Sequence, residues 1–130
     1  MELQRLLFEP ALVRSTPNII RWWESRRLAY NFVVGTCGLL TLGYTSVIGF
    51  LAQGKWMVAP WQIVVVYGLA ANVCYTLGPA IEVLAQRWLG RPVYGLGPAL
   101  FRYGLAFAVG LTLFPNAIIT VLAIVSRMFR

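Results

Sequence analysis

Past Glu24 the sequence carries a single carboxylate, Glu82, and it lies just beyond a long apolar run. Ionisable groups inside a membrane are expensive and mark ion or proton paths by default, so Glu82 is the first residue to weigh for chemistry. Its neighbours argue for a plainer role. It follows Pro79 near the end of the run, with Arg87 five residues on and Arg102 beyond. The expectation is a carboxylate at the membrane boundary, within reach of water and paired with Arg87 or Arg102. Arg102 would itself extend toward the headgroups, as long basic side chains near span ends do.

A second set of polar residues recurs at helical spacing. Gly35, Gly38, Thr41, Thr45 and Gly49 form one stripe, Gly68, Asn72, Thr76 and Ala80 another, and Gly104, Ala108, Thr112, Asn116 and Thr120 a third. Small residues three or four apart let helices approach closely in lipid, and hydroxyl and amide groups then bond across the contact. Counted from the ends of their runs, Thr41, Asn72 and Asn116 all fall about 15–18 Å deep at 1.5 Å per residue. They are expected to form a shared polar layer near the bilayer midplane. Its plain role is an interhelical bond; its functional role would be a site for water or a small polar ligand.

The third cluster is Arg21-Trp22-Trp23-Glu24-Ser25-Arg26-Arg27. Glu24 can pair with Arg21 and Arg27 one helical turn away, and the tryptophans suit the headgroup zone. Together with Trp88, the residues Arg21, Trp22, Trp23, Arg26 and Arg27 are expected to face lipid or a partner, because Trp and Arg are common anchors of interfaces.

Other chemistry finds few residues to carry it. Histidine is absent, and the two cysteines, Cys37 and Cys74, sit inside apolar runs; neither a zinc set nor a disulfide framework can be assembled from them. No cofactor or metal is expected. There is no paired carboxylate, nucleophile triad or phosphate loop, so an enzyme is not expected either. Small multidrug exporters place a glutamate inside their first span, and the corresponding run here holds no acid.

The elements that must position these residues follow from composition. Hydrophobic residues make up 59% and charged residues 12%, against about 45–50% and about 25% in soluble domains. Charge-free runs cover residues 28–54, 56–81 and 103–126, and each exceeds the ~20 apolar residues that cross a bilayer as a helix. The predicted fold is an all-α integral membrane protein of three transmembrane helices, at about 28–53, 61–78 and 103–126, plus short interfacial amphipathic helices. Residues 1–27 read as a cytoplasmic or interfacial segment and 28–130 as the transmembrane domain. The apolar run after Arg27 is too long for a cleaved signal peptide and is expected to remain as an anchor.

Thr16 and Pro17 read as the N-cap and first residue of an interfacial helix over 17–27, bent or continuous into the first span. Pro79 is expected to open a second interfacial helix over 79–89, ended by Gly90. Pro115-Asn116 could break the third span into a re-entrant pair, although three full spans account better for its length.

The net charge of +7 is explained by the positive-inside rule and not by nucleic acid. With the N-terminus inside, Arg5, Arg14, Arg21, Arg26, Arg27, Arg87, Arg91 and Arg102 are cytoplasmic, while Lys55, Arg127 and Arg130 are external. Trp22, Trp23 and Trp88 fall at one boundary, Trp56 and Trp61 at the other. The excess of arginine suits a bacterial cytoplasmic membrane. The expected function is a non-catalytic accessory or scaffold subunit of a larger membrane assembly, in contact with lipids and other subunits; the alternative is a small homo-oligomeric channel or transporter.

Overall fold

Helices are the only way for an apolar chain to satisfy its backbone in lipid without closing a barrel, and the three apolar runs become three helices. The computed structural model describes residues 2–9, 15–56 and 58–129. A short α1 (Glu2–Phe8) precedes α2 (Thr16–Gln53), α3 (Trp61–Leu89) and α4 (Leu96–Met128). The last three are each long and apolar enough to cross a membrane, with mean hydropathy of 1.6, 1.5 and 2.2 over their most apolar windows. The chain is a multi-pass, all-helical membrane protein. Arg14 and Arg130, expected on opposite sides of the membrane, lie outside the described residues.

The helices are longer than the runs that predict them. The interfacial helix and first span are one continuous α2, entered through Ser15 as N-cap and not Thr16, with Pro17 in its first turn. The separate helix expected to open at Pro79 is instead the last part of α3, and Pro79 lies inside it. Proline there removes one N–H from the ladder, but unwinding at the membrane boundary would leave several backbone groups unpaired. The same balance keeps α4 whole through Pro115, so the third span is unbroken; it also begins at Leu96, ahead of the expected Tyr103. Gly54 and Gly90 end α2 and α3 in the left-handed conformation, at φ 70° and 61°, each returning its N–H to a carbonyl of the last turn. Residues with a Cβ adopt that conformation at a cost.

Cross-helix bonds set the directions. Trp23 and Tyr30 of α2 meet Glu82 and Ala71 of α3, so these helices are antiparallel. Thr41 and Tyr44 of α2 meet Thr112 and Thr120 of α4, so those two run side by side in the same direction. At 1.5 Å per residue α2 is about 57 Å long, α3 about 44 Å and α4 about 50 Å, beyond the ~30 Å hydrocarbon core. The 54–60 loop joins α2 and α3 at one end, where Phe50 stacks on Trp56 with ring centroids 4.8 Å apart. The surplus length therefore gathers at the opposite end, with the start of α2, the end of α3 and the start of α4.

The core lies there too. Ile19, Trp23, Tyr30 and Val34 of α2, Tyr75 of α3, and Phe101 and Ala108 of α4 are its buried apolar residues. Toward the other end the helices present large apolar side chains outward, among them Leu40, Val66 and Leu122, as a lipid-facing surface does.

Candidate functional site

In its first half α2 turns Ile19, Trp23, Arg26, Tyr30 and Val34 inward, spaced four, three, four and four apart. On α3 the matching stripe is Tyr75, Gly78 and Glu82. Trp23 enters between these helices, 2% exposed, and its indole Nε1–H donates a 2.8 Å hydrogen bond to Glu82 Oε2. Its carbonyl accepts the Tyr75 hydroxyl at 2.5 Å. Edge-on packing against Trp22, Tyr75 and Phe101, with centroids 5.4–6.0 Å apart, completes an aromatic nest, the geometry ring quadrupoles favour.

Two glycines make room for it. A Cβ at Gly78 would lie 2.6 Å from Trp23 Cζ3, and one at Gly97 would lie 2.6 Å from Glu82 Oε2. Glu82 is thus enclosed by α2, its own helix and the first turn of α4, and is 1% exposed. This corrects the expected access to water and the expected partners of Glu82. Glu82 does not open to water, and neither Arg87 nor Arg102 is its ion partner. Arg87 is exposed, whereas Arg102 donates from Nε to the Pro98 carbonyl and lies over the Phe8 ring, 4.6 Å from its centroid.

The Trp/Arg cluster divides in the same way. Arg26 is buried and stacks over Trp22 at 3.8 Å, while its Nη2 donates to the Arg5 and Glu9 carbonyls at 2.9 and 3.4 Å. Trp22 Nε1 donates to the same Glu9 carbonyl at 2.8 Å. A cation and an N–H donor thereby meet carbonyls at the end of α1, the Arg5 carbonyl, which also accepts the Glu9 N–H at 3.2 Å, and the Glu9 carbonyl just past the helix, where the helix dipole favours positive charge. Trp23 and Arg26 are consequently not a surface for lipid or a partner; they hold α1 and α3 to α2. Arg27 is half-buried and pairs with Glu24 at 2.9 Å. Arg21 and Trp88 do face outward.

Deeper in the bundle lies a belt of hydroxyls. Thr41 Oγ1 donates to the Thr112 carbonyl at 2.9 Å and accepts Asn116 Nδ2 at 3.3 Å. Thr112 Oγ1 donates to Ala108 O at 2.6 Å and accepts the Tyr67 hydroxyl of α3. Tyr44 donates to Thr120, whose own proton goes to the Asn116 carbonyl. Of the three residues expected to form a polar layer, Thr41 and Asn116 meet. Asn72 does not join them, because its Nδ2 returns to Gly68 O on its own helix. Tyr67 takes the place on α3, since its longer side chain spans a gap that the shorter amide does not.

Asn72 instead lines a groove of about 420 Å³ between α2 and α3, backed by Leu111, Thr112 and Pro115 of α4, with Gly35, Gly38 and Gly68 along its walls. A Cβ added at Gly35, Gly38 or Gly68 would meet nothing within 4 Å. These glycines are open, unlike Gly78 and Gly97.

Tyr75, Gly78, Phe101 and Gly97 are members of the nest that sequence reasoning passes over. The available signal is the spacing of Tyr75, Gly78 and Glu82 at i, i+3 and i+7, which places them on one face of a helix. No protein-family model, curated protein or solved structure matches the chain.

Proposed function

We propose that the chain is a non-catalytic accessory or scaffold subunit of a larger membrane assembly, set in a bacterial cytoplasmic membrane with its N-terminus inside. The observation that carries this reading is the open glycine groove. Helices in lipid gain contact by bringing small residues against a neighbour's backbone, and a Cβ added at Gly35, Gly38 or Gly68 would meet nothing of this chain within 4 Å. A foreign transmembrane helix laid along α2 and α3 would cover them and meet the Asn72 amide. The carboxylate at the hydrocarbon boundary, meanwhile, is engaged by Trp23 in the chain's own packing, which suits a structural role better than a transport cycle.

The test is site-specific photocrosslinking in native membranes from positions 38 and 68, with position 40 on an outward face as control, followed by native sizing of the gently extracted complex. Adducts to a distinct membrane protein from 38 and 68 but not 40, reduced by Gly38→Leu and Gly68→Leu, are expected. Adducts to the chain itself in a symmetric ring, with ion or solute flux by the purified chain in liposomes, would replace this reading with the homo-oligomeric channel.

A further inference from the structure

A second concavity lies at the opposite level of the molecule, where the first turns of α2 pass the last turns of α3. It has a volume of about 350 Å³ and is walled by Ile20 on one side and Pro79, Ala80, Val83 and Leu84 on the other, with Thr16 and Arg87 also lining it. Its level can be placed from Trp61, which begins α3 at the far boundary. Pro79 lies about 27 Å and Arg87 about 39 Å along the helix from there. The hydrocarbon core is about 30 Å thick and the bilayer with its headgroups about 40–45 Å. The apolar floor at Pro79 and Ala80 therefore coincides with the end of the acyl region, and Arg87 with the headgroup layer.

One exposed cation, Arg87, lines this groove; Arg21 and Arg91 are also exposed at that end but do not line it. Arg26, Arg27 and Arg102 are occupied by carbonyls, a carboxylate or a ring. Arg87 is exposed, and no hydrogen bond, ion pair or ring contact engages it among the described residues. Among the described residues no carboxylate lines the groove; Glu24, one turn from Ile20, is paired with Arg27. Helical side chains lean toward their own N-terminus, so Arg87 leans back along α3 over Val83 and Leu84, toward the membrane.

We propose that this groove is a site for an anionic phospholipid, with the phosphate on the Arg87 guanidinium, the glycerol end against Ile20 and Val83, and an acyl chain passing Pro79 and Ala80. A guanidinium matches phosphate oxygens with paired donors. An apolar floor continuous with the acyl region accommodates a lipid tail and gives a free anion nothing to bind. The inference is independent of the accessory-subunit reading, because it concerns a different face and a different ligand.

The test uses the purified full-length chain in nanodiscs of mixed phosphatidylglycerol and phosphatidylcholine with matched acyl chains, and reads the ratio of the two lipids that stays bound after detergent extraction by native mass spectrometry. Phosphatidylglycerol should be enriched over the bulk ratio, and Arg87→Gln should lower that enrichment by about fivefold, the effect of one basic residue near an anionic surface. Ala80→Leu, which fills the groove at an exposed position, should lower retention of both lipids. Arg127→Gln, at the other end, should change nothing. Circular dichroism confirms that each variant keeps its helices. Unchanged enrichment in Arg87→Gln, or equal loss in Arg127→Gln, overturns the site in favour of diffuse surface charge. Displacement of the bound lipid by inorganic phosphate would also overturn it, by showing an anion site that does not require the tail.

Discussion

Trp23 and Glu82 lie 59 residues apart and join α2 to α3 through one buried 2.8 Å hydrogen bond. This bond decides the fate of two groups that would be costly alone: an indole N–H and a carboxylate near the hydrocarbon boundary, both almost fully enclosed. The surrounding rings and the missing Cβ atoms of Gly78 and Gly97 all serve that contact, so it organises the end of the bundle where the helices outrun the hydrocarbon.

Trp23→Phe keeps the ring packing and removes only the donor. Leaving a buried acceptor without one of its bonds costs about 1–3 kcal/mol, and the reversible unfolding midpoint in mixed micelles, followed by circular dichroism, should fall accordingly. Trp23→Ala adds a cavity and should cost about 3–5 kcal/mol. Trp88→Phe, at an 82% exposed position, should stay within about 0.5 kcal/mol of the parent. Equal effects at positions 23 and 88 would show that Trp23 faces lipid and does not hold α3.

Glycines divide by what an added methyl would meet. Gly78→Ala sets a Cβ into the Trp23 indole, a rigid ring packed on three sides, and should cost about 1–3 kcal/mol as overpacking. Gly43→Ala meets open space within a helix and should gain about 0.5–1 kcal/mol. The same unfolding measurement checks both, and opposite signs are the expected outcome.

The membrane-crossing runs are legible because charge is excluded over lengths that only a span requires, as between Arg27 and Lys55. The inward face of α2 is less legible. Arg26 and Arg27 are adjacent and chemically identical, yet one is buried against α1 carbonyls and the other pairs outward with Glu24. That choice depends on where α1 ends, a contact 21 residues away. Tyr75 is hidden for a related reason: inside an apolar run it reads as span filler, and only the Trp23 carbonyl on another helix gives its hydroxyl a role. Pro79 shows the opposite error, since a residue that opens helices in water is carried inside one here, where the alternatives leave more of the backbone unpaired.

Within the hydroxyl belt, Thr41→Val removes a donor to the Thr112 carbonyl and an acceptor for Asn116. Interhelical bonds of this kind average about 0.6 kcal/mol and reach about 1.7. A double-mutant cycle of Thr41→Val with Asn116→Leu should return a coupling in that range, whereas Thr41→Val with Asn72→Leu should be additive, because Asn72 bonds only within its own helix among the described contacts. Coupling to Asn72 instead would restore the three-residue layer that the sequence suggests.

Topology supplies the last prediction, which joins charge to geometry. Because α4 runs unbroken through Pro115 in the same direction as α2, Phe129 must emerge on the side of Lys55, and Gln4 on the other. The proposed orientation follows from eight basic residues at the Gln4 end against three at the Lys55 end, since short cytoplasmic segments retain Lys and Arg. Cys37 and Cys74 are first replaced by Ala, and single cysteines are introduced at Gln4, Lys55 and Phe129. An impermeant maleimide on intact cells should label positions 55 and 129 and spare 4 until the membrane is opened. Labelling of 4 alone would invert the orientation while keeping the three spans. Protection of 129 together with 4 would mean that the chain turns back at Pro115, contrary to the continuous α4, and that the arginine at 127 had drawn the C-terminus inside.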